Sequence, residues 1–437
     1  MKLLLGNYLI NPCQDHLKKE FGVAIEDGVI RQVAGNGKLQ KEYPEAKVID
    51  LKDKILSPGF INTHMHSYGI LSHGIETPEI DSFRDFLEKF WWPKVENQID
   101  HRLIEISTRA AALELINSGV TTFCNVMEAP NALPGALTTQ AEVLEQLHSR
   151  AVLSFEASER MSRSNGDKGL KENVDFSLEQ ENNPLISGTM CIHTTFTCSP
   201  EFIQKASDLS KENGLSIQLH LNESSYEPEV CRDKHNLPPA QLYRELGLLD
   251  NHVLASQGVK LGEEEIQTLK EKEVNLAHVP LSNCEVGGGI APVPDLLEKG
   301  INVSLGTDGY INNFFEVMRA AFLIHKGKLE TPDVMPARKV FRLATVNGAK
   351  ALGLDKLGCL KKGYRADVIT LDTDFETPFR NHNYYDQLIM RRNPRHVRDV
   401  FINGNSIMRN GEFNYPSFNF ESTRKELNEA AHKLWHR

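Results

Sequence analysis

Residues 58–66, PGFINTHMH, place a short apolar run directly before two histidines that are one residue apart. Seven similar runs follow along the chain and alternate with segments of helical period. The eight runs are GFINT (59–63), VTTFCNV (120–126), AVLSFEA (151–157), TMCIHTTF (189–196), LSIQLHL (215–221), HVLASQ (252–257), VNLAHV (274–279) and INVSLGT (301–307). Such alternation is typical of parallel strands joined by crossover helices. The pattern therefore predicts an α/β fold, a (β/α)8 barrel of the TIM type.

The segments between these runs have the spacing of amphipathic helices, as in residues 101–119, 200–214 and 263–273. The first two end in glycine, the residue that most often closes a helix at its C-terminus. A doubly wound open sheet is the alternative fold, but the GxGxxG loop that would support it is missing from the sequence. We therefore expect the barrel to span residues 58–358.

Both ends of the chain carry short alternating strands with glycine-containing turns, for example in residues 21–35 and 397–413. This pattern is typical of antiparallel sheets, and neither end has enough strands to bury a core alone. We expect residues 1–57 and 359–437 to form one small β-sandwich domain. Its last segment, residues 421–437, reads as an amphipathic helix that packs on the body of the protein.

Composition and charge disfavour several classes of function. The formal net charge of −10 disfavours a nucleic-acid partner, because binding to a phosphate backbone needs clustered Lys and Arg. The apolar run at the start breaks at Gly6, and no later stretch approaches ~18 apolar residues, so we expect neither a signal peptide nor a membrane span. Seven scattered cysteines without a CxxC pair suggest reduced thiols. We expect a cytoplasmic protein that acts on a small molecule.

Polar side chains recur where the predicted strands end. In chain order they are His64, His66, His220, Glu223, Gln257, His278 and Asp308. Active-site groups of such barrels come from the C-terminal ends of the strands. Because side chains alternate along a strand, residues 64 and 66 point to the same side and can share one ion. Three imidazoles and one aspartate (His64, His66, His220 and Asp308) suit zinc or iron(II) with an open position for water.

Each of these residues also has a structural interpretation. A lone HxH pair occurs by chance, and Asp308 alone would suit a helix cap or a turn between Gly306 and Gly309. Glu223 alone would suit a solvated loop acid, whereas its position three residues after His220 suggests a proton shuttle. The metal interpretation is favoured because these residues occur together at one predicted rim.

Several motifs together resemble those of the amidohydrolase superfamily, specifically its deaminase and chlorohydrolase branch. They are PGFINTHMH (58–66), LHLNE (219–223), HVPLSN (278–283), GGGIAPVPDLLEKGINVSLGTDG (287–309), ATVNGAKALGL (344–354) and GYRADVITLD (363–372). The branch includes S-adenosylhomocysteine, guanine and cytosine deaminases and the triazine hydrolases. The resemblance covers essentially the whole chain, with both flanking segments.

The resemblance implies one divalent metal ion per subunit, zinc or iron, held by His64, His66, His220 and Asp308. One ion is implied because binuclear relatives place a carbamylated lysine on strand four, and TMCIHTTFTCS contains no lysine. The ion would lower the pKa of bound water toward ~7. Asp308 would take that water's proton, and Glu223 would protonate the ring nitrogen or leaving group. Relatives are commonly dimers or tetramers, which implies a homo-oligomer.

One position departs from the family pattern. Strand six of these deaminases ends in LAHGV, whereas LASQGV here places Gln257 where a histidine is expected. An amide can orient the hydroxide or a substrate carbonyl but cannot carry a proton, so ordinary deamination is in doubt. His278 is either a substitute proton carrier or a buried structural residue.

Five residues are candidates for substrate binding. His193 lies in HTTFTCSP, where relatives carry a PHAPYTCS stretch whose histidine contacts substrate. Trp92 lies on a long excursion after strand one, where it would stack on a flat heterocycle or anchor the loop. Glu96 lies one residue later than the glutamate with which adenosine-type deaminases hold ribose. Glu156 and Arg160 would face a polar group of the substrate or form an ion pair with each other.

We therefore expect a metal-dependent hydrolase of a carbon–nitrogen bond, most simply a deaminase of a purine-, pyrimidine- or triazine-like heterocycle or nucleoside. Gln257 leaves two alternatives open. One is a hydrolase of another leaving group, such as a halide, methylthio, urea or carbamate group. The other is a relative that has lost catalysis and serves as a scaffold.

Overall fold

The structure is a computed structural model that describes residues 1–309, 311–415 and 420–437. It is a mixed α/β fold, as the sequence predicts, and the chain divides into two compact units. The first, which we call the terminal unit, comprises Met1–Asn62, Leu113–Thr122 and Asn312–Asn419. The second, which we call the site unit, comprises Thr63–Ala112, Phe123–Ile311 and Phe420–Arg437.

Strands and helices alternate through most of the described residues. The strands are β1 (Lys2–Asn11), β2 (Gln14–Lys19), β3 (Phe21–Glu26), β4 (Val29–Gly35), β5 (Lys47–Pro58), β6 (Phe60–Met65), β7 (Val120–Met127), β8 (Arg150–Phe155), β9 (Ile186–Gly188), β10 (Met190–Cys191), β11 (Ile217–Leu221), β12 (Val253–Gln257), β13 (Asn275–His278), β14 (Val303–Leu305), β15 (Val368–Asp372), β16 (Val397–Ile402), β17 (Asn405–Arg409) and β18 (Glu412–Phe413). The α-helices are α1 (Asn36–Glu42), α2 (Phe83–Asp85), α3 (His101–Asn117), α4 (Ala136–Gln146), α5 (Arg163–Glu179), α6 (Pro200–Asn213), α7 (Tyr226–His235), α8 (Pro239–Glu245), α9 (Glu263–Glu271), α10 (Pro280–Glu285), α11 (Val293–Glu298), α12 (Phe314–Leu329), α13 (Ala337–Leu343), α14 (Val346–Ala351), α15 (Tyr384–Arg391) and α16 (Phe420–Trp435). A π-helical segment, Phe86–Val95, follows α2 directly.

The terminal unit contains a nine-stranded sheet built from both ends of the chain. Its order is β18-β17-β16-β15-β5-β1-β3-β4, with β2 paired to β1. Strand β5 pairs in parallel with β1 and antiparallel with β15, so both of its edges are used. The sequence predicts a sandwich from these strands, and the hydrogen bonding instead joins them into one continuous sheet, because β5 links the N-terminal strands to the C-terminal ones.

Alternation along the strands of this sheet buries both of its faces. One face carries a core cluster that includes Leu4, Val23 and Phe401, and the other carries a cluster that includes Leu3 and Leu39 of α1. Residues 3 and 4 are neighbours on β1, and their side chains therefore enter different clusters. This explains why β1 is apolar at consecutive positions rather than at every second one.

Cys13 and Cys359 form a disulfide in the terminal unit, with Cα atoms 6.2 Å apart. The expectation that all seven thiols are reduced is therefore wrong for this pair. The two cysteines are 346 residues apart in sequence, and no local spacing signals a bond that depends on both chain ends meeting in one unit. The other five cysteines are free, and Cys284 is the exposed one among them.

The eight predicted strands of the central region are all present, and together with the additional strand β9 they form two sheets. Strands β10 to β14 make a five-stranded sheet in sequence order, parallel throughout, and β6 to β9 make a four-stranded one. Two isolated parallel bridges join the sheets: Met65 of β6 pairs with Asp308 after β14, and Ala157 after β8 pairs with Ile192 after β10. The fourth predicted run forms the shortest of the eight strands, because only Met190 and Cys191 belong to its ladder.

The C-terminal helix α16 belongs to the site unit. The indole Nε1 of Trp435 donates a hydrogen bond to the Leu71 carbonyl at 2.8 Å, and Glu426 pairs with Arg109 at 2.9 Å. These contacts hold the helix against the segment that follows β6 and against α3, on which Arg109 lies. In the described ranges, no helix combines the length and the apolar composition needed to cross a bilayer.

Candidate metal centre

The first and last strands of the central region place two of the predicted ligands side by side. The backbone N–H groups of Thr307 and Asp308 donate to the His64 carbonyl oxygen at 3.0 and 3.1 Å. Gly306 makes this approach possible, because a Cβ atom there would lie 2.7 Å from the same oxygen. His64 and Asp308, 244 positions apart in sequence, are thus brought together by backbone hydrogen bonds.

The four predicted ligands converge in space. The Nε2 atoms of His66 and His220 are 3.2 Å apart, and His66 Nε2 lies 3.6 Å from an Asp308 carboxylate oxygen. The His64 ring centroid lies 5.0 Å from that of His66 and 4.9 Å from that of His220. Ligand atoms of the three histidines all lie within 4.8 Å of one another. Imidazole nitrogens and a carboxylate at this spacing fit one divalent ion, as the sequence predicts.

Hydrogen bonds outside the ligand set orient His66. Its Nδ1 lies 3.1 Å from the Val126 carbonyl oxygen on β7, and the Tyr68 hydroxyl lies 3.1 Å from the same nitrogen. When Nδ1–H donates to a carbonyl, the lone pair of the ring is on Nε2. This nitrogen is the one that faces His220, and such outer contacts commonly fix metal-binding histidines.

Burial keeps the three imidazoles in the neutral form that binds a cation. It lowers the pKa of His64 from 6.5 to about 4, and it also lowers the pKa values of His66 and His220. Burial alone would raise the pKa of Asp308, but His66, His64 and hydrogen bonds lower it below its usual range. At neutral pH the site therefore presents three neutral nitrogens and one carboxylate.

Gln257 contacts Asp308 directly. Its amide Nε2 donates a hydrogen bond of 2.7 Å to one Asp308 oxygen, and the Gly309 N–H donates to the other at 2.6 Å. The side chain is fully buried, and within the described residues its Oε1 atom has no hydrogen-bond partner. Gln257 and Asp308 both have positive φ, +77° and +58°, which turns the backbone sharply at the ends of their strands. The amide thus orients the carboxylate ligand.

Glu223 lies on the wall of a cavity that adjoins the ligands. Burial, Asp308 and Glu227 together raise the pKa of its carboxyl well above 4.5. Glu227 accepts hydrogen bonds from the backbone N–H groups of Asn222 at 2.6 Å and Thr195 at 3.0 Å. It thereby holds the turn that carries Glu223. Glu227 was not predicted from the sequence, where its only signal is an acidic residue in the first turn of α7.

The cavity has a volume of about 360 Å³ and lies entirely in the site unit. Its wall includes His66, His220, Glu223 and Asp308 together with the predicted substrate residues His193, Trp92, Glu96 and Glu156. The other four predicted residues are outside this wall, namely His64, Arg160, Gln257 and His278. His278 is fully buried at the end of β13.

Arg160 is at the centre of a buried acidic cluster beside the cavity. Its guanidinium pairs with Glu96 at 2.9 Å, with Glu128, and with the Asn97 side chain at 2.8 Å. It also lies 5.2 Å from the Trp92 ring centroid. Arg160 therefore pairs with Glu96 and Glu128, and not with Glu156, the partner that the sequence suggests. Glu128 was missed because nothing in its local sequence indicates a partner 32 residues away.

Glu156 instead faces two histidines. One carboxylate oxygen lies 3.6 Å from His193 Nε2, and the other lies 3.4 Å from His220 Nδ1. His193 Nδ1 also lies 2.9 Å from the Thr197 hydroxyl. Burial lowers the pKa of His193 to about 4. Glu156 thus connects a metal ligand to a residue of the substrate side.

A family comparison agrees with this geometry. The model of the amidohydrolase family matches residues 55–407, which is most of the chain. The chain belongs to the amidohydrolase family. This amidohydrolase is 32% identical over 420 residues to 5'-deoxyadenosine deaminase of Methanocaldococcus jannaschii, with 94% of each chain covered. It is 33% identical over 412 residues to 5-methylthioadenosine/S-adenosylhomocysteine deaminase of Halalkalibacterium halodurans, covering 92% of this chain and 91% of the relative.

Solved structures show the same fold. An adenosine deaminase from Xanthomonas campestris with bound zinc superposes with a TM-score of 0.89 at 21% identity, covering 100% of this chain and 99% of that chain. The predicted class is confirmed: the protein is an amidohydrolase that acts on carbon–nitrogen bonds other than peptide bonds. The donor set of His64, His66, His220 and Asp308 suits a single divalent metal ion.

Proposed function

We propose that this protein is a hydrolytic deaminase of a purine nucleoside of the adenosine type. The observation that carries the proposal is the meeting of His66, His220 and Asp308 within 3.6 Å at one end of a cavity that Glu223 also lines. The names of relatives that are 31–33% identical over most of the chain support the nucleoside class. In the net reaction, water adds to the amine-bearing carbon, the carbon–nitrogen bond breaks and ammonia leaves.

His64, His66, His220 and Asp308 would hold a divalent ion, zinc or iron. The ion would lower the pKa of its bound water, so that this water loses a proton more readily at neutral pH. Asp308 accepts the proton of the attacking water, for which its lowered pKa keeps it ionised. Glu223 protonates the ring nitrogen, for which its raised pKa keeps a proton available, and Asp308 passes the water's proton to the leaving amine. The two carboxyl groups have opposite pKa shifts, which suits a base and an acid in one site.

Gln257 acts through Asp308. Its amide donates to one carboxylate oxygen of Asp308, while the other oxygen lies 3.6 Å from His66 Nε2. Relatives carry a histidine at the position of Gln257. We propose that the contact of Gln257 with Asp308 replaces the positioning role of that histidine, and that Glu223 takes over its role in proton transfer. His278 stays a prediction as a second proton carrier, and its full burial outside the cavity wall favours a structural role.

The substrate residues fall into two groups. Trp92 and His193 line the cavity with ring centroids 6.4 Å apart, and we propose that the base lies against them. Glu96 and Glu156 also line the cavity, and we propose that they accept hydrogen bonds from the nucleoside. Arg160 holds Glu96 in place through its 2.9 Å ion pair.

We further propose that the two sheets of the central region close into a (β/α)8 barrel over residues 58–358, with residues 1–57 and 359–437 as the second domain. The two isolated bridges between the sheets and the structural likeness to amidohydrolases support the closure. The two compact units divide the chain differently, since residues 312–358 are in the terminal unit and α16 is in the site unit.

We propose a cytoplasmic homo-oligomer that binds neither nucleic acid nor membranes. The net charge of −10 supports the first exclusion, because phosphate backbones bind basic surfaces. A reducing cytoplasm opposes the disulfide between Cys13 and Cys359, so the state of this pair in cells tests the proposed location. Thiol labelling of the protein in freshly lysed cells shows whether the two sulfur atoms are bonded, and light scattering gives the number of subunits.

The test of the proposed function is a panel of aminated heterocycles and nucleosides with the zinc-loaded and iron-loaded protein. We expect ammonia release from adenosine-type nucleosides, and loss of both bound metal and activity in His66→Ala and Asp308→Ala. Unchanged activity in either variant would contradict the proposed site. Arg338→Ala, on the exposed surface of the terminal unit, is the control and should retain both metal and activity.

Gln257 keeps a second candidate function open, the hydrolysis of a group other than an amine. Ammonia detection separates the two, because halide or methylthio release gives product without ammonia. Gln257→His should raise deamination of common family substrates if this position sets the reaction. Metal analysis of the purified protein tests the scaffold alternative, since a scaffold needs no stoichiometric ion.

A further inference from the structure

An aromatic series leads away from the metal ligands along one side of the cavity. Ring centroids are 5.5 Å apart between His66 and Tyr68, 6.0 Å between Tyr68 and Trp91, and 5.6 Å between Trp91 and Phe86. Phe83 follows Phe86 at 6.2 Å. His66 and Tyr68 follow the end of β6, Phe83 belongs to α2, and Phe86 and Trp91 belong to the π-helical segment. Of these rings, His66, Trp91, Phe86 and Phe83 line the cavity, so one side of its wall is aromatic.

The rest of the cavity wall combines apolar residues with polar ones, which include Ser72, His73, Thr77 and Ser282. Its other apolar members are Ile75, Leu87, Phe90, Trp92, Val286 and Ile311. Among the described residues that line the cavity there is neither a lysine nor an arginine. The lining carboxyl groups are Glu96, Glu156, Glu223, Glu285 and Asp308. An anionic group in this cavity would meet carboxyl groups and aromatic rings but no fixed cation.

The guanidinium of Arg160, which lies beside the cavity, is already paired with other residues. Its three nitrogens contact Glu128, Asn97 and Glu96, and its side chain is 6% exposed. A bound carboxylate would have to displace Glu96 from a buried ion pair, which is costly. Glu285 lies beside Val286 on the cavity wall, where it would repel a negative group.

We propose that the cavity selects adenosine-type nucleosides with an uncharged, apolar 5' substituent and discriminates against those that carry an amino-acid tail. The inference rests on the proposed function, which places the amine-bearing carbon of the base at His66 and Asp308. The 5' end of the nucleoside is the end far from that carbon, so it lies toward Trp91, Phe86 and Phe83. A hydrogen or methylthio group is stabilised there by apolar contact. The ammonium of an amino-acid tail can pair with a wall carboxyl group such as Glu285, but the carboxylate of the tail is desolvated without a lysine or arginine partner.

The experiment compares kcat/KM for 5'-deoxyadenosine, 5'-methylthioadenosine and S-adenosylhomocysteine in the zinc-loaded protein, with ammonia release as the readout. We expect the two uncharged nucleosides to exceed S-adenosylhomocysteine by about 100-fold or more, since one unpaired buried polar group is costly. Val286→Lys, which adds a cation to the wall, should narrow this ratio about 10-fold. Val286→Met adds similar length without charge and should leave the ratio unchanged.

The possible outcomes separate the inference from the proposed function. Equal kcat/KM values for the three nucleosides, within about 3-fold, would overturn the selectivity and leave the deaminase function intact. A ratio that Val286→Met narrows as much as Val286→Lys would also overturn it, because size and not charge would then control access. Failure to release ammonia from any adenosine-type nucleoside would refute the proposed function and the inference with it.

Discussion

Replacing Gln257 with leucine tests whether this residue acts through Asp308. The variant removes the 2.7 Å hydrogen bond from the amide Nε2 to the carboxylate and keeps a buried side chain of similar length. A hydrogen bond to a charged group contributes about 1.5–3 kcal/mol. At about 1.4 kcal/mol per factor of ten, this predicts roughly a 10- to 100-fold loss of metal affinity, the range seen when an outer partner of a ligand is removed.

The assay is a competition titration in which a chromophoric chelator removes zinc from the loaded protein at pH 7. Gln241→Leu is the matched control, because Gln241 is equally buried in the site unit and donates only to the Thr268 hydroxyl at 3.3 Å. We expect the control to bind zinc like the wild type. If Gln257→Leu also binds zinc with wild-type affinity and folds normally by circular dichroism, the amide does not support the ligand and the proposed role is wrong.

Three further predictions concern the acid, the carboxylate behind the ligands and the buried imidazoles. Glu223→Gln should lower kcat by about 10²- to 10⁴-fold at unchanged zinc content, and a loss of zinc would show that the residue is structural instead. Glu156→Leu should weaken zinc binding about 10-fold, because it removes the oxygen 3.4 Å from His220 Nδ1; zinc affinity equal to that of the wild type would show that Glu156 does not support the metal site. The metal-free protein should lose stability as pH falls from 6.5 to 4, since the unfolded chain takes up protons in this window and the buried imidazoles do not. For His193, with a folded pKa of about 4, the loss reaches about 3 kcal/mol. Urea unfolding at pH 7 and pH 4.5 should show a smaller pH effect in His193→Gln, and an identical one would contradict the buried neutral imidazole.

The sequence predicted the parts of the site that follow strand ends. His64, His66 and His220 each lie at the end of an apolar run, and the alternation of side chains along a strand gives their direction. Asp308 follows the last run in a glycine-flanked turn, a position where only a polar side chain with positive φ fits easily. Local pattern and strand order were sufficient for these four residues.

Residues that act through distant partners were not predictable in this way. Glu128 meets Arg160 from 32 positions away, and Glu227 holds the Asn222 turn from the first turn of a helix. Both look like ordinary charged surface residues in the sequence, and only the three-dimensional packing buries them. The single continuous sheet of the terminal unit was missed for a related reason: strand pairing between the two ends depends on β5, whose edges carry no distinguishing residue pattern.

The bond between Cys13 and Cys359 has a topological consequence. It turns the stretch between these residues into a covalent ring, and the four proposed metal ligands, Glu223 and Gln257 are members of that ring. A protease that cuts one loop inside the ring opens it without releasing a fragment, so the catalytic groups remain on one molecule. A cut in a surface loop therefore does not by itself detach part of the site, as long as the disulfide remains intact.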